Sequence, residues 1–270
     1  MATTKAVILA RGLGTRMRAA DGEAVVDAAQ SQVADTGVKG MIPVGRPFLD
    51  FVLATLADAG LTDVCLVVAP EHDAIRTHYD ALAPRRVRLH YAVQLEPRGT
   101  ADAVLAAEPF ADGAPFLVMN ADNLYPVTAL RALAALGRDG VAGFDAHGLV
   151  AEGNIPADRI RKFALLVADA EGTLRDLVEK PDDATYDRLA PVASVGMNLW
   201  SFTASIFEAC RRTRPSARGE LELPDAVRIA MQELGVRFRV APASGEVLDL
   251  SSRRDIAAVT ARLAGREVRL

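Results

Sequence analysis

The sequence predicts an α/β fold in which helices cover both faces of a mixed, mostly parallel sheet. The chain opens on a short apolar run, Lys5 to Ala10, which ends in a glycine-rich turn and is typical of a buried parallel strand. Strand patterns then alternate with helical periodicity as far as residue 140, which indicates β-α-β units. Beyond Gly140 strand patterns follow one another directly, so the second half is expected to be partly antiparallel.

The elements of the first half follow from their apolar spacing. Apolar residues recur at helical intervals from Phe48 and stop at Gly60, which predicts a helix over 48–59 with a glycine C-terminus. The other elements predicted here are strands at 63–69, 87–93 and 115–119 and helices at 100–108 and 127–136. The polar, alanine-rich segment 18–38 exceeds the usual connection of about 2 to 6 residues and is expected to be a mobile lid or a short helix.

The second half is predicted to contain four successive strands and three helices. The strands are expected at 141–145, 160–168, 173–178 and 192–202, with turns at Glu171-Gly172 and Pro181-Asp182. Helices at 203–211, 223–234 and 253–264 are expected to surround a short strand pair at 236–240 and 246–250. No internal repeat stands out.

Composition excludes several classes of protein. Half of the 270 residues are hydrophobic and 24% are charged, so the chain is expected to fold throughout as one domain. A net charge of −4 argues against a nucleic-acid partner, and no apolar run approaches the roughly 20 residues of a membrane span. Cys65 and Cys210 lie in apolar stretches and the chain shows no secretory leader, so we expect reduced cysteines and a cytoplasmic location.

The glycine-rich turn from Leu9 to Arg16 is a candidate phosphate-binding loop. Its glycines let backbone N–H groups turn toward an anion without obstruction by a Cβ. The turn lacks the Gly-Lys-Ser/Thr ending of a P-loop and the third glycine of the dinucleotide fingerprint, so a purely structural turn is the alternative. Arg16 favours a triphosphate because its guanidinium matches phosphate oxygens bidentately.

Two further residue types stand out by position. Among the 31 basic residues only Lys5, Lys39, Lys162 and Lys180 are lysines, so a lysine is an unusual choice in this chain. Lys39 follows the 18–38 segment at a loop end, with a solvated surface lysine as the alternative. Asp122 follows an apolar strand, at the edge where open α/β sheets carry ligands, and is a candidate metal ligand or otherwise a helix N-cap.

With these residues in order, the chain resembles the sugar-1-phosphate nucleotidyltransferases, in particular the glucose-1-phosphate thymidylyltransferase and uridylyltransferase types. The matching segments run in the family's order over most of the chain: Ala10 to Arg16, Lys39 to Pro43, Gln94 to Ala103, Asp122, Glu179-Lys180-Pro181, Gly196-Met197-Asn198 and Asp249. Two features depart from the pattern. Arg11 replaces a glycine, and segment 18–38 separates the loop from its lysine by more than is usual.

The resemblance implies a three-layer, Rossmann-like sheet of the nucleotide-diphospho-sugar transferase (GT-A-like) type. It places a nucleotide-binding half at about 1–139, a sugar-phosphate-binding half at about 140–250 and a C-terminal helix at about 253–265. It also implies a Mg²⁺-dependent reaction in which a sugar 1-phosphate oxygen attacks the α-phosphorus of an NTP, with UTP or dTTP favoured, and releases pyrophosphate. The partners are therefore an NTP and a sugar 1-phosphate, and the resemblance also allows for a homo-oligomer.

The resemblance assigns a role to each matched residue. Arg16 and Lys39 are the expected catalytic cations, and Asp122 and Asp249 the expected Mg²⁺ ligands, with a helix N-cap as the alternative for Asp249. The sugar phosphate is assigned to Glu179, Lys180, Gly196 and Asn198. The nucleotide is assigned to Leu9, Ala10, Gly12, Gly14, Thr15, Arg16, Gln94, Gly99 and Thr100.

Several alternatives remain open at this point. The fold would also suit a cytidylyltransferase that acts on phosphocholine or another small phosphate, or a nucleotide sensor without turnover. Glu222 and Asp225 are similar to a family segment near the sugar, but they could simply begin a helix. Arg11 could hold the β- or γ-phosphate, or it could pair with an acidic residue between Asp21 and Asp35.

Overall fold

A mixed sheet of nine strands, with helices against both faces, forms the core of the computed structural model, which describes residues 2–270. Two further short strands pair separately from this sheet. The strands are β1 (Lys5–Leu9), β2 (Asp63–Val68), β3 (Arg88–Val93), β4 (Phe116–Asn120), β5 (Asn123–Leu124), β6 (Gly140–Phe144), β7 (Ala164–Ala168), β8 (Leu174–Val178), β9 (Ala193–Phe202), β10 (Arg239–Ala243) and β11 (Leu248–Asp249).

The helices are mostly short, and one 3-10 turn lies at Lys39–Met41. They are α1 (Thr15–Arg18), α2 (Ala28–Thr36), α3 (Phe48–Ala59), α4 (Asp73–Leu82), α5 (Thr100–Ala106), α6 (Glu108–Ala111), α7 (Val127–Leu136), α8 (Ala146–Glu152), α9 (Ala157–Ile160), α10 (Asp183–Leu189), α11 (Ser205–Arg212), α12 (Leu223–Gln232) and α13 (Arg253–Leu263). Within residues 2–270 no helix combines the length and the apolar character needed to cross a membrane.

The main sheet has the strand order β10-β6-β9-β4-β1-β2-β3. Strand β9 is antiparallel to β4 and β6, whereas the other strands of this order run in one direction. The first residues of β9 pair with β7, which in turn pairs with β8. The predicted α/β fold with a mixed, mostly parallel sheet is therefore confirmed, including the antiparallel character of the second half.

Two hydrophobic cores form because successive side chains of a strand point to opposite faces. In β1, Ala6 and Ile8 enter one core while Val7 enters the other. The first core includes α3 and α7, and the second includes α5 and α11. Burial of one such aliphatic side chain contributes about 1.5 to 3 kcal/mol. The alternating burial of a continuous apolar strand thus fixes helices on both faces.

The structure corrects several predicted elements. The strand pair expected at 236–240 and 246–250 does not form, because β10 pairs in parallel with β6 and β11 pairs with β5. The strand expected at 160–168 begins only at Ala164, because Ile160 ends α9 and residues 161–163 form a turn. The helices α4, α8 and α10 were not predicted; α8 and α10 each begin at an aspartate whose side chain caps the first turn.

Segment 18–38 forms a short helix, α2, which is one of its two expected forms. A capping box between Asp27 and Gln30 begins the helix, and Gly37 ends it in the left-handed conformation. The buried Arg253 of α13 holds the segment: its guanidinium pairs with Asp35 and donates to Ser31 Oγ at 3.1 Å. Segment 18–38, called the insert below, is therefore fastened to α13, the helix that follows Asp249.

Candidate active site

A cavity of about 330 Å³ lies beside the end of β1 and the segments that follow β3 and β4. All of the residues assigned to the nucleotide line it, together with Lys39 and Asp122. The cavity wall is completed by Arg11, Leu13, Gly37, Gly40, Pro97, Ala103, Asn120, Ala121 and Glu220. Residues far apart in sequence meet here because the carboxyl ends of parallel strands share one edge of the sheet.

The phosphate loop is shaped by the insert. Gly14 has a φ of 61°, and a Cβ at this position would overlap the carbonyl oxygen of Gly37 at the end of α2. Only glycine therefore permits this contact between loop and insert. Arg16 in α1 lines the cavity and is exposed, and no carboxylate of residues 2–270 forms an ion pair with it. Its guanidinium is free to meet an anion.

Lys39 and Asp122 form an ion pair at the floor of the cavity. The Nζ–Oδ2 distance is 2.6 Å, and the two side chains are 17% and 16% exposed. Lys39 begins the 3-10 turn that follows the insert, and Asp122 lies between β4 and β5. Neither simpler alternative fits, because the lysine is paired rather than fully solvated and Asp122 caps no helix.

Asp249 is brought beside Asp122 by a short antiparallel ladder. Strand β11 pairs with β5, so that Asp249 faces Asn123, and the Leu250 N–H donates to the carbonyl of Asp122 at 2.8 Å. Asp249 is buried and accepts hydrogen bonds from Ser251 Oγ at 2.7 Å and Arg159 Nη2 at 2.6 Å. It is not the N-cap of the last helix, since Ser252 fills that role.

The electrostatics of this carboxylate pair suit a divalent cation. Burial, followed by the charge of Asp122, raises the pKa of Asp249 to about 6, although Arg159 opposes the shift. A bound cation would offset that repulsion, and carboxylate oxygens are preferred ligands of Mg²⁺. Residues 2–270 contain no cluster of three or more metal-ligating side chains, so water and phosphate oxygens would supply the remaining positions.

Gln94 and Gly99 lie on either side of the turn formed by residues 95–98. The Gln94 amide nitrogen donates to the Gly99 carbonyl at 3.0 Å and to Asp102 Oδ2 at 2.8 Å. Arg11 is buried and donates to the backbone carbonyls of Gln94 and Leu95, at 3.2 and 3.4 Å. Of the two roles left open for Arg11, the structure does not show pairing with an acidic residue of segment 18–38; its guanidinium joins the phosphate loop to this turn.

The residues assigned to the sugar phosphate lie outside the wall of this cavity. Lys180 has the left-handed φ of 44°, which is uncommon for a residue with a Cβ. Glu179 is exposed, yet desolvation by neighbouring protein raises its pKa while Arg228 opposes the shift. The carboxylates of Glu222 and Asp225 add to the rise, so these residues lie near Glu179, and both also begin α12.

Gly196 and Asn198 occupy an irregular stretch of β9. The register between β6 and β9 shifts between Val141 and Gly143, and Asn198 within this stretch is exposed with a φ of 57°. This irregular stretch of β9 is a bulge. The buried Tyr125 hydroxyl donates to the carbonyl of Met197 at 2.6 Å, which ties the bulge to the segment that carries Asp122.

Sequence reasoning missed three residues that organise the site. Arg159 pairs with both Asp249 and Asp255, at 2.6 and 2.7 Å, but one arginine among many carries no sequence signal. Tyr125 and Asn154 were missed because only the fold places them: Asn154 Oδ1 accepts from the Asp249 N–H at 2.8 Å and its Nδ2 donates to the Asp249 carbonyl at 2.9 Å.

Comparison with known proteins gives a consistent family. The model of the nucleotidyl transferase family matches residues 5–241. The chain is 31% identical over 224 residues to the UTP–glucose-1-phosphate uridylyltransferase AglF of Haloferax volcanii, covering 83% of this chain and 82% of that protein. It is 30% identical over 226 residues to a glucose-1-phosphate thymidylyltransferase of an Actinoplanes species, covering 82% of this chain and 65% of the relative.

Solved structures share the fold at lower identity. A UDP-glucose pyrophosphorylase from Acinetobacter baumanii superposes with a TM-score of 0.73 at 20% identity, covering 98% of this chain and 95% of the other. A UDP-glucose pyrophosphorylase solved as the apo form gives a TM-score of 0.74 at 19% identity over 96% of this chain and 97% of its own. The resemblance to sugar-1-phosphate nucleotidyltransferases is thereby confirmed, and the chain belongs to the nucleotidyl transferase family.

Proposed function

We propose that this protein transfers a nucleoside monophosphate from UTP or dTTP to a sugar 1-phosphate, with glucose 1-phosphate as the first acceptor to test. The observation that carries the proposal is the meeting, in one cavity, of the phosphate loop, the free Arg16 and the Lys39–Asp122 pair beside Asp249. The uridylyl and thymidylyl specificities of the named relatives support the choice of base and acceptor.

The residues act by holding two anions together. A sugar 1-phosphate oxygen is already anionic, so it attacks the α-phosphorus without a general base, and the bond to the β-phosphate oxygen breaks to release pyrophosphate. Each pair of like unit charges 4 Å apart opposes this approach by about 4 kcal/mol at an effective dielectric of 20. Arg16 and Lys39 offset that repulsion, and the loop N–H groups position the triphosphate.

We propose Mg²⁺ as the cofactor, held by Asp122 and Asp249. When bound, the ion supplies positive charge to the phosphate oxygens. Asn123, Ser251 and Arg159 orient the Asp249 carboxylate through hydrogen bonds. Lys39 holds Asp122 at the floor of the cavity.

The acceptor site is proposed to lie next to the cavity, with Glu179 at the sugar hydroxyls and Lys180 at the sugar phosphate. Asn198 and Gly196 would contact the sugar from the bulge in β9. Segment 220–223 joins the two sites. The Leu221 N–H donates to the carbonyl of Arg98 and its carbonyl accepts from the Ala101 N–H, while the charge of Glu222 raises the pKa of Glu179. This arrangement supports nucleotide binding by residues 1–139 and sugar-phosphate binding by residues 140–250.

The test is release of pyrophosphate from each NTP, Mg²⁺ and a panel of sugar 1-phosphates, with the NDP-sugar identified by mass spectrometry. Turnover with UTP or dTTP and at least one sugar 1-phosphate is expected, and phosphocholine with CTP should give none. Asp112→Asn is the control for Asp→Asn substitutions in the site, such as Asp122→Asn, because Asp112 is an exposed carboxylate outside the cavity wall. A folded protein that releases no pyrophosphate across the panel would refute the proposal.

A further inference from the structure

The amide of Gln94 has only one orientation that satisfies its neighbours. Its Nε2 lies 3.0 Å from the Gly99 carbonyl oxygen and 2.8 Å from Asp102 Oδ2. Both partners can only accept hydrogen bonds, so the atom that faces them is the nitrogen, and both of its N–H groups are used. Gln94 is buried, 4% exposed, and its backbone is also held, since its N–H donates to Val68 and its carbonyl accepts from Arg11.

The remaining atom of the amide is an unused acceptor. No donor in residues 2–270 pairs with Gln94 Oε1, although Gln94 lines the cavity. Gly99, on the same cavity wall, has an N–H that meets no acceptor in the part of the chain that the structure describes. Two residues of the cavity wall therefore carry one fixed acceptor and one backbone donor that have no partner in residues 2–270.

We propose that Asp102 is the positioning residue that selects uracil or thymine over cytosine, by fixing Gln94 Oε1 as an acceptor at the base edge. The inference rests on the proposed function and names how the same cavity chooses its base. Uracil and thymine carry an N–H at ring position 3, beside a carbonyl oxygen, and thus complement an acceptor beside a donor. Cytosine has a lone pair at that position, which would face the lone pairs of Oε1.

Asp102 suits this role because its carboxylate cannot donate. A side-chain amide in its place could accept from Gln94 Nε2 or donate to Gln94 Oε1, so the orientation of Gln94 would be held less firmly. A charged partner also makes a hydrogen bond roughly twice as strong as a neutral one. Asp102→Asn changes the side-chain shape very little. A change in base preference in this variant would therefore come from the orientation of the Gln94 amide and not from altered packing.

The experiment compares kcat/KM for UTP and CTP, with glucose 1-phosphate and Mg²⁺, in the wild type, Asp102→Asn and the control Asp112→Asn. The wild type should prefer UTP by about tenfold or more, because cytosine would leave the acceptor Gln94 Oε1 without a hydrogen-bond donor. In Asp102→Asn the preference should fall about fivefold, the loss expected when a charged hydrogen-bond partner becomes neutral. Asp112→Asn should keep the wild-type ratio.

A binding measurement tests the same inference without turnover. The dissociation constants of UMP and CMP, measured by calorimetry without metal or acceptor, should differ in the wild type and approach each other in Asp102→Asn. Equal binding of UMP and CMP by the wild type overturns the proposal, and so does an unchanged ratio in a folded Asp102→Asn. Either result would overturn the role of Asp102 without bearing on the proposed transferase function. That function is tested separately, by release of pyrophosphate in the turnover assay.

Discussion

The carboxylate pair at the proposed metal site gives a prediction about stability and pH. Burial and the charge of Asp122 raise the pKa of Asp249 from 3.8 to about 6. The folded protein therefore binds this proton more tightly than the unfolded chain does. The stabilisation is fully present below pH 3.8, because both states are then protonated at this group, and it is lost as the pH rises through about 6.

The size of the effect follows from the same values. At about 1.36 kcal/mol for each pH unit, the rise from 3.8 to about 6 corresponds to a loss of about 3 kcal/mol in metal-free protein at pH 7.5. Solvent screening reduces this little, since Asp249 is only 3% exposed. Asp249→Asn removes the titration while keeping the shape of the side chain, so it isolates this group from the other carboxylates.

The assay is the free energy of unfolding by urea in EDTA, at pH 4, 5, 6, 7 and 7.5, for the wild type and Asp249→Asn. Between pH 4 and pH 7.5 the wild type should lose about 2 kcal/mol relative to the variant, less than the full effect because the unfolded chain is already partly deprotonated at pH 4. Mg²⁺ at a hundredfold excess over its dissociation constant should then restore about 2.7 kcal/mol to the wild type at pH 7.5. A difference that stays constant with pH, or that grows in favour of the wild type, would refute the electrostatic reasoning.

Other predictions address single contacts. Asp122→Asn should abolish turnover and Mg²⁺ dependence without loss of the far-ultraviolet circular dichroism signal, and near-normal activity would remove the metal assignment. Tyr125→Phe deletes the hydrogen bond that holds the bulge in β9, so the KM for the sugar 1-phosphate should rise about fivefold while the KM for NTP stays constant. Arg11→Gly should raise the KM for NTP, because the turn that carries Gln94 loses two donors; a lower KM would contradict this. Arg253→Leu leaves the insert unfastened, so limited proteolysis within segment 18–38 should be faster than in the wild type.

Candidate site residues could be predicted from the sequence where a short motif by itself indicated a chemical role. The phosphate loop, Lys39 and Asp122 were identified from local sequence and Gln94 from the family resemblance, and the structure places them around one cavity. The reason is that each lies directly after a strand or at a loop end, where the chain order of an α/β sheet already determines the edge on which it stands. Their roles as ligand-binding residues stay predictions.

Two of the errors concern partners rather than residues. The strand patterns near 239–243 and 248–249 were recognised, but their pairing with each other was wrong because alternation identifies a strand and not its neighbour. The position of Arg11 was noted as anomalous, yet nothing in the sequence indicated that its guanidinium reaches carbonyls some 83 residues away. A flexible side chain finds its acceptors only after the backbone has folded.

The sequence by itself determined the alternating elements, the two faces of the sheet and the phosphate loop, because local periodicity and glycine placement act over a few residues. Tertiary structure alone decided that the β5–β11 ladder lays Asp249 beside Asp122, that Arg253 fastens the insert, and that Asp102 fixes the amide of Gln94. These contacts join residues through distance and orientation, which depend on how whole elements pack. The orientation of the Gln94 amide and the position of the carboxylate pair therefore depend on the fold, although the sequence had already identified Gln94, Asp122 and Asp249.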